Sequence, residues 1–140
     1  MNTVSLSLVL ALACAPMLEI GTDAGSSRRV ALGPDARFSV SYWHSMYNVP
    51  FTEDYVIDAE RRIRLLELRS DDGTVLDYYA LEGAPGEVAA LDRSFASLAF
   101  GIALNNPQTL QIGDRRWSFL DFGEAGGHVA FSVAAGCARQ

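Results

Sequence analysis

From Arg37 to Ser45 the chain alternates. Phe38, Val40, Tyr42 and His44 fall on one side, and Arg37, Ser39 and Ser41 on the other. This period-two pattern is that of a strand with one face against a core. After a short connection, Phe51, Glu53, Tyr55 and Ile57 share one side of a second strand. A histidine and a glutamate thus point where core should be, and buried polar groups are tolerated mainly when paired. The pattern as a whole predicts strands over 30–32, 37–44, 52–58, 62–69, 74–81, 108–112, 115–121 and 128–133. Turn chemistry separates several of them at Asp71-Asp72-Gly73, Gly83-Ala84-Pro85-Gly86, Asn105-Asn106-Pro107, Gly113-Asp114 and Gly126-Gly127. Gly113-Asp114 predicts a two-residue hairpin with Leu110 opposite Trp117. Residues 93–104 read either as a short helix or as a buried strand pair. Together these predict an all-β single domain, an antiparallel sandwich or barrel of about eight short strands.

Register sharpens the polar cluster. With residues 45–52 as the connection, His44 faces Glu53, Tyr42 faces Tyr55 and Val40 faces Ile57, each pair matched in character. A turn around Ala59-Glu60-Arg61 then sets Ile57 opposite Ile63, Tyr55 opposite Leu65 and Glu53 opposite Glu67. One row of the inner face reads His44, Glu53, Glu67. Leu66 and Leu68 occupy the other face of the third strand, so a one-residue slip turns Glu67 outward. Two carboxylates at cross-strand distance raise each other's proton affinity, and an imidazolium lowers it. Such a row could share a proton, bind a cation or serve acid–base chemistry. The plainer expectation is a His–Glu hydrogen bond closing the end of the core. No metal, cofactor or catalytic residue is assigned, because no nucleophile pairs with a base in this register. His128 after Gly126-Gly127 reads as a solvated strand end, Asp71-Asp72 as part of a turn, and Trp43 and Trp117 as packing residues.

At 140 residues and 49% apolar composition the chain can bury one core. A net charge of −6 argues against a nucleic-acid partner. All eleven basic residues are arginines, which excludes Schiff-base and lysine-dependent phosphate chemistry. The apolar run Val4 to Ala13 is too short for a membrane span and ends in the small-x-small pattern Ala11-Leu12-Ala13. Residues 1–13 read as a secretory signal and Cys14 as a candidate lipidation site. Residues 14–29 read as a linker and 30–140 as the β domain. In an oxidising compartment Cys14 could instead pair with Cys137.

Phe38-x-Val40-x-Tyr42-x-His44-Ser45, then Pro50, Glu53 and Tyr55, then Leu66-Glu67-x-Arg69, resemble the bacterial and archaeal family called domain of unknown function 1850. The resemblance continues in Leu110-x-Ile112-Gly113 and in Val129 to Val133, and covers roughly residues 18–133. It implies a small exported or membrane-anchored protein associated with the membrane subunits of tripartite (TRAP-type, TAXI subclass) solute transporters. No catalytic residues carry over from it. The chain departs from that family over Ser70 to Leu76, where an aromatic, glycine-rich segment is expected. The resulting expectation is a non-enzymatic extracytoplasmic accessory or binding domain, held at the membrane surface by a lipid on Cys14. The alternative is a small metal-dependent or acid–base hydrolase using His44, Glu53 and Glu67.

Overall fold

Leu18, Ile20, Val30, Phe38, Val40, Phe51, Tyr55, Ile63 and Leu65 fall on the inward phase of five strands, and all are buried. Each strand therefore has one face that must be covered, and two sheets facing one another do this. The computed structural model describes residues 14–44, 48–70, 88–136 and 138–139. In chain order the strands are β1 Cys14–Ala15, β2 Met17–Thr22, β3 Ser27–Ala31, β4 Arg37–His44, β5 Val49–Ile57 and β6 Ile63–Arg69. They continue as β7 Val88–Phe95, β8 Ser97–Gly101, β9 Thr109–Ile112, β10 Arg115–Ser118, β11 His128–Val133 and β12 Ala138–Arg139. One sheet has the order β10-β9-β4-β5-β6-β7, the other β3-β2-β11-β8, and β1 pairs with β12 in a separate two-stranded ladder. All pairings are antiparallel. The chain is an all-β sandwich.

Aromatic rings fill the space between the sheets. Phe131 on β11 meets Phe38 edge-on at 6.0 Å, Phe119 edge-on at 5.6 Å and Phe100 at 5.4 Å. Phe38 stacks on Tyr55 at 5.0 Å. Edge-to-face and offset arrangements of this kind suit the quadrupoles of the rings.

The Gly113-Asp114 hairpin forms with Trp117 opposite Leu110, and Gly113 has φ +59, which glycine adopts without cost. Residues 93–101 are strand apart from Ala96, and no part of 93–104 is helix. β7 ends at Phe95, the chain changes sheets at Ala96, and β8 alternates with Leu98 and Phe100 inward. The strand expected over 115–121 stops at Ser118. A 3₁₀ turn follows over Phe119–Asp121, with the Ser118 hydroxyl accepting from the Leu120 amide and the Asp121 carboxylate accepting from the Ser118 amide.

The linker expected over 14–29 is corrected: β2 is a central strand of the four-stranded sheet and β3 its edge. Leu18 and Ile20 carry the period-two signal and are wholly buried, while β3 buries only Val30 and leaves Ser27, Arg28 and Arg29 in solvent. A five-residue edge strand with one inward side chain looks polar in sequence. The strand expected over 74–81, and the turns at 71–73 and 83–86, lie outside the described residues.

Candidate functional site

The register of β4 and β5 overturns the predicted pairing of His44 with Glu53. The strands pair as His44↔Val49, Tyr42↔Phe51, Val40↔Glu53 and Phe38↔Tyr55. β5 starts at Val49, so the connection is four residues shorter than the 45–52 loop expected. Glu53 is thereby carried four residues along the strand from the position facing His44, about 13 Å at 3.3 Å per residue. The side chain of His44, and Ser45, lie outside what the structure describes.

Glu67 is corrected as well. Ile57 does face Ile63 and Tyr55 faces Leu65, but the register then shifts: Asp54 pairs with Glu67 and Glu53 with Leu68. Leu66 is the extra residue of a β-bulge, which reverses the alternation beyond it. Ile63, Leu65 and Leu68 are buried, so Glu67 takes the outward phase beside Arg69. His44, Glu53 and Glu67 do not form one row.

Glu53 does lie on the inner face, with partners the sequence reading missed. The Tyr42 hydroxyl donates to Glu53 Oε1 at 3.0 Å and the Tyr55 hydroxyl donates to Oε2. Tyr42 lies diagonally across from Glu53 and Tyr55 two residues along the same strand, so each oxygen of the half-buried carboxylate has its own donor. Burial raises the Glu53 pKa from its ordinary value, and the two tyrosine donors oppose this only in part. Burial and the neighbouring carboxylate push the Tyr55 hydroxyl up strongly, so it stays a donor.

On the opposite face of the sheet Asp54 accepts from Ser39 Oγ at 2.6 Å, Arg69 Nε at 2.6 Å and Arg69 Nη2 at 3.0 Å. The hydrogen bond to Asp54 holds the Arg69 guanidinium more firmly charged. Ser41 and Thr52 share a hydrogen bond of 3.0 Å beside it. This polar ladder fixes the β4–β5–β6 register from outside as the aromatic rows do from within.

A larger concavity lies elsewhere. A cleft of about 330 Å³ runs between the Thr22–Ser26 turn and the loop leading into β11, lined by Thr22, Asp23, Ser26, Phe122, Glu124 and His128. Asp23 Oδ2 accepts from the His128 amide at 2.8 Å and sits 3.2 Å from His128 Nδ1. The carboxylate orients the imidazole and leaves Nε2 without a protein partner among the described residues, an arrangement able to move a proton for a small polar ligand. His128 was expected as a solvated strand end; it is exposed, but paired. Its partner lies 105 residues away, beyond any local spacing signal. Among the described residues no three His, Cys, Asp or Glu side chains gather closely enough to hold a metal ion.

Of the two tryptophans expected to pack, Trp117 does and Trp43 does not. Trp43 is 42% exposed and donates to the Asn48 side chain, while Trp117 is half-buried against the core, with the Arg115 and Arg28 guanidinium carbons 5.3 and 6.0 Å from its ring centre. Cys14 opens β1 opposite Arg139, and Cys137 lies outside the described residues. Comparison with protein families, with curated proteins and with solved structures finds no match for the chain.

Proposed function

We propose that the chain is an extracytoplasmic accessory domain that works by contact with the membrane subunits of a TRAP-type (TAXI) solute transporter. The observation that carries this reading is the Tyr42–Glu53–Tyr55 network, in which each oxygen of the inward carboxylate has its own tyrosine donor. Five residues of the motif shared with the family called domain of unknown function 1850 are Phe38, Val40, Tyr42, Glu53 and Tyr55, and all lie on the inner face of β4 and β5. Their polar atoms are used in holding two strands together. These residues therefore serve as scaffold, which fits a domain that works through a binding surface better than one that works through a reaction. Deleting the gene should impair uptake of the transporter's solute, and the domain should co-purify with the membrane subunit from detergent extracts. Normal uptake in the deletion strain would remove the proposal's basis.

A small acid–base hydrolase is the second reading. Its support is the Asp23–His128 pair in the cleft, since His44, Glu53 and Glu67 are separated by register. Turnover of a small ester or peptide by purified protein, lost in His128→Ala with the melting temperature unchanged, would favour it over the accessory role.

A further inference from the structure

Arginines collect at one end of the sandwich. β4 begins there with Arg37, β10 with Arg115 and Arg116, and the turn between β5 and β6 presents Arg61 and Arg62. Hydrogen bonds between the layers fix these segments at the same end. Arg115 Nη2 donates to the Ala31 carbonyl at the close of β3, and Arg61 Nη2 donates to the carbonyls of Ala134 at 2.5 Å and Gly136 at 2.9 Å, just past β11. All five arginines are exposed. Among the described residues none of them has a carboxylate within 4 Å; the arginines in ion pairs are Arg29, Arg64 and Arg69. What partners they have are neutral: the carbonyls just named, the Ser94 hydroxyl for Arg62, the Gln111 amide oxygen for Arg116, and the Trp117 ring for Arg115.

Acidic residues at this end do not cancel them. Asp58 accepts from the amides of Glu60 and Arg62 and pairs with Arg64 at 3.6 Å. That leaves Asp35, Glu60 and Asp114, all exposed, against five guanidinium groups without a carboxylate partner among the described residues. Among the described residues this end is net positive, on a chain whose net charge is −6.

Cys14 lies at the same end. β1 leads into β2, whose first residue, Met17, pairs with Ala31, and Ala31 is where Arg115 is bound. Three residues of chain reach at most about 11 Å, and neighbouring strands are about 5 Å apart, so the Cys14 backbone is within roughly 16 Å of Ala31.

We propose that this end of the sandwich is a docking surface for an anionic phospholipid bilayer. Guanidinium groups bind phosphate oxygens in a two-pronged fashion, and free donors without carboxylate competitors are what a layer of headgroups would engage. The proposal rests on the reading that Cys14 is the membrane-proximal residue: an acyl chain there would hold the arginine-bearing end toward the lipid, and a second attraction makes a single anchor secure.

The test uses the full chain carrying Cys14→Ser, which takes no lipid, and its partitioning onto phosphatidylglycerol-containing vesicles and onto pure phosphatidylcholine vesicles. Binding should favour the anionic vesicles and weaken with added salt. Each arginine at the headgroups contributes about fivefold in partitioning, so replacing Arg37, Arg115 and Arg116 together with Gln should weaken anionic binding about tenfold or more. Binding to neutral vesicles should not change. Glu60→Gln with Asp114→Asn should tighten anionic binding. Thermal melting confirms that each variant is folded, and Arg37→Gln with Arg116→Gln, which leaves the Ala31 hydrogen bond intact, repeats the test if the triple variant unfolds. Equal binding to both vesicle types, or anionic binding indifferent to the arginine substitutions, would overturn the proposal. Lipidation of Cys14 is read separately, from the mass of the native protein, so either result can fail alone.

Discussion

Two tyrosine hydroxyls converge on the Glu53 carboxylate, while burial works against its charge. Removing the carboxylate in Glu53→Ala leaves both hydroxyls short of an acceptor and should destabilise the fold by roughly 1–3 kcal/mol, seen as a lower denaturation midpoint. The pH dependence has a definite sign. Folded Glu53 keeps its proton to higher pH than the unfolded chain does. The native state then binds more protons above the ordinary carboxylate value, and its contribution to stability is greatest at acid pH and declines as pH rises through the folded pKa. Tyr55, shifted in the same direction, adds a second decline that starts near pH 10. Glu53→Gln keeps one acceptor, offers donors that a tyrosine oxygen can accept, and loses the buried charge. It should flatten the acid-to-neutral change in melting temperature; an unaltered profile would show that Glu53 does not cause it. The inward phase of Glu53 was legible at this scale because period two is a local property. Its partner was not, because which residue lies across a sheet depends on the length of a connection elsewhere.

Connections and irregularities decide matters at the scale of the element. The Gly113-Asp114 hairpin was readable because its loop chemistry lies in two adjacent residues, and it came out with Leu110 opposite Trp117. Nothing so compact marks the β4–β5 connection, so the register was set four residues from its true place. The Leu66 bulge was also hidden: in Ile63-Arg64-Leu65-Leu66-Glu67-Leu68 an uninterrupted alternation and a reversed one are equally good readings. Deleting Leu66 would join the two halves of the β5–β6 ladder in strict alternation with Ile63, Leu65 and Leu68 all still inward, so it should leave the core side of β6 intact. Leu68→Ala, at a side chain 5% exposed, should cost about 2–5 kcal/mol, measured by chemical denaturation. A smaller contribution comes from the 3₁₀ turn that seats Phe119 at 0% exposure. Ser118→Ala removes its capping acceptor and should lower stability by about 1 kcal/mol.

Across the whole molecule, the all-β class followed from many short strands punctuated by turn residues, while the assignment of strands to sheets did not. Chain order says little about a sandwich in which β7 and β8 are separated by Ala96 yet belong to opposite layers. Phe131 is where the layers meet, touching rings from β4, β8 and the 3₁₀ turn. Phe131→Ala should cost about 3–5 kcal/mol, and a loss below 1 kcal/mol would contradict this account of the core. The same scale holds the proposed function, in which a scaffold lies inside, Cys14 carries the lipid and a transporter subunit is the partner. Mass spectrometry of the protein purified from detergent-solubilised native membranes tests this most directly. The account predicts a chain beginning at Cys14, carrying lipid, accompanied by the transporter's membrane subunit. A chain that retains Met1, bears no lipid and comes without that subunit would contradict it.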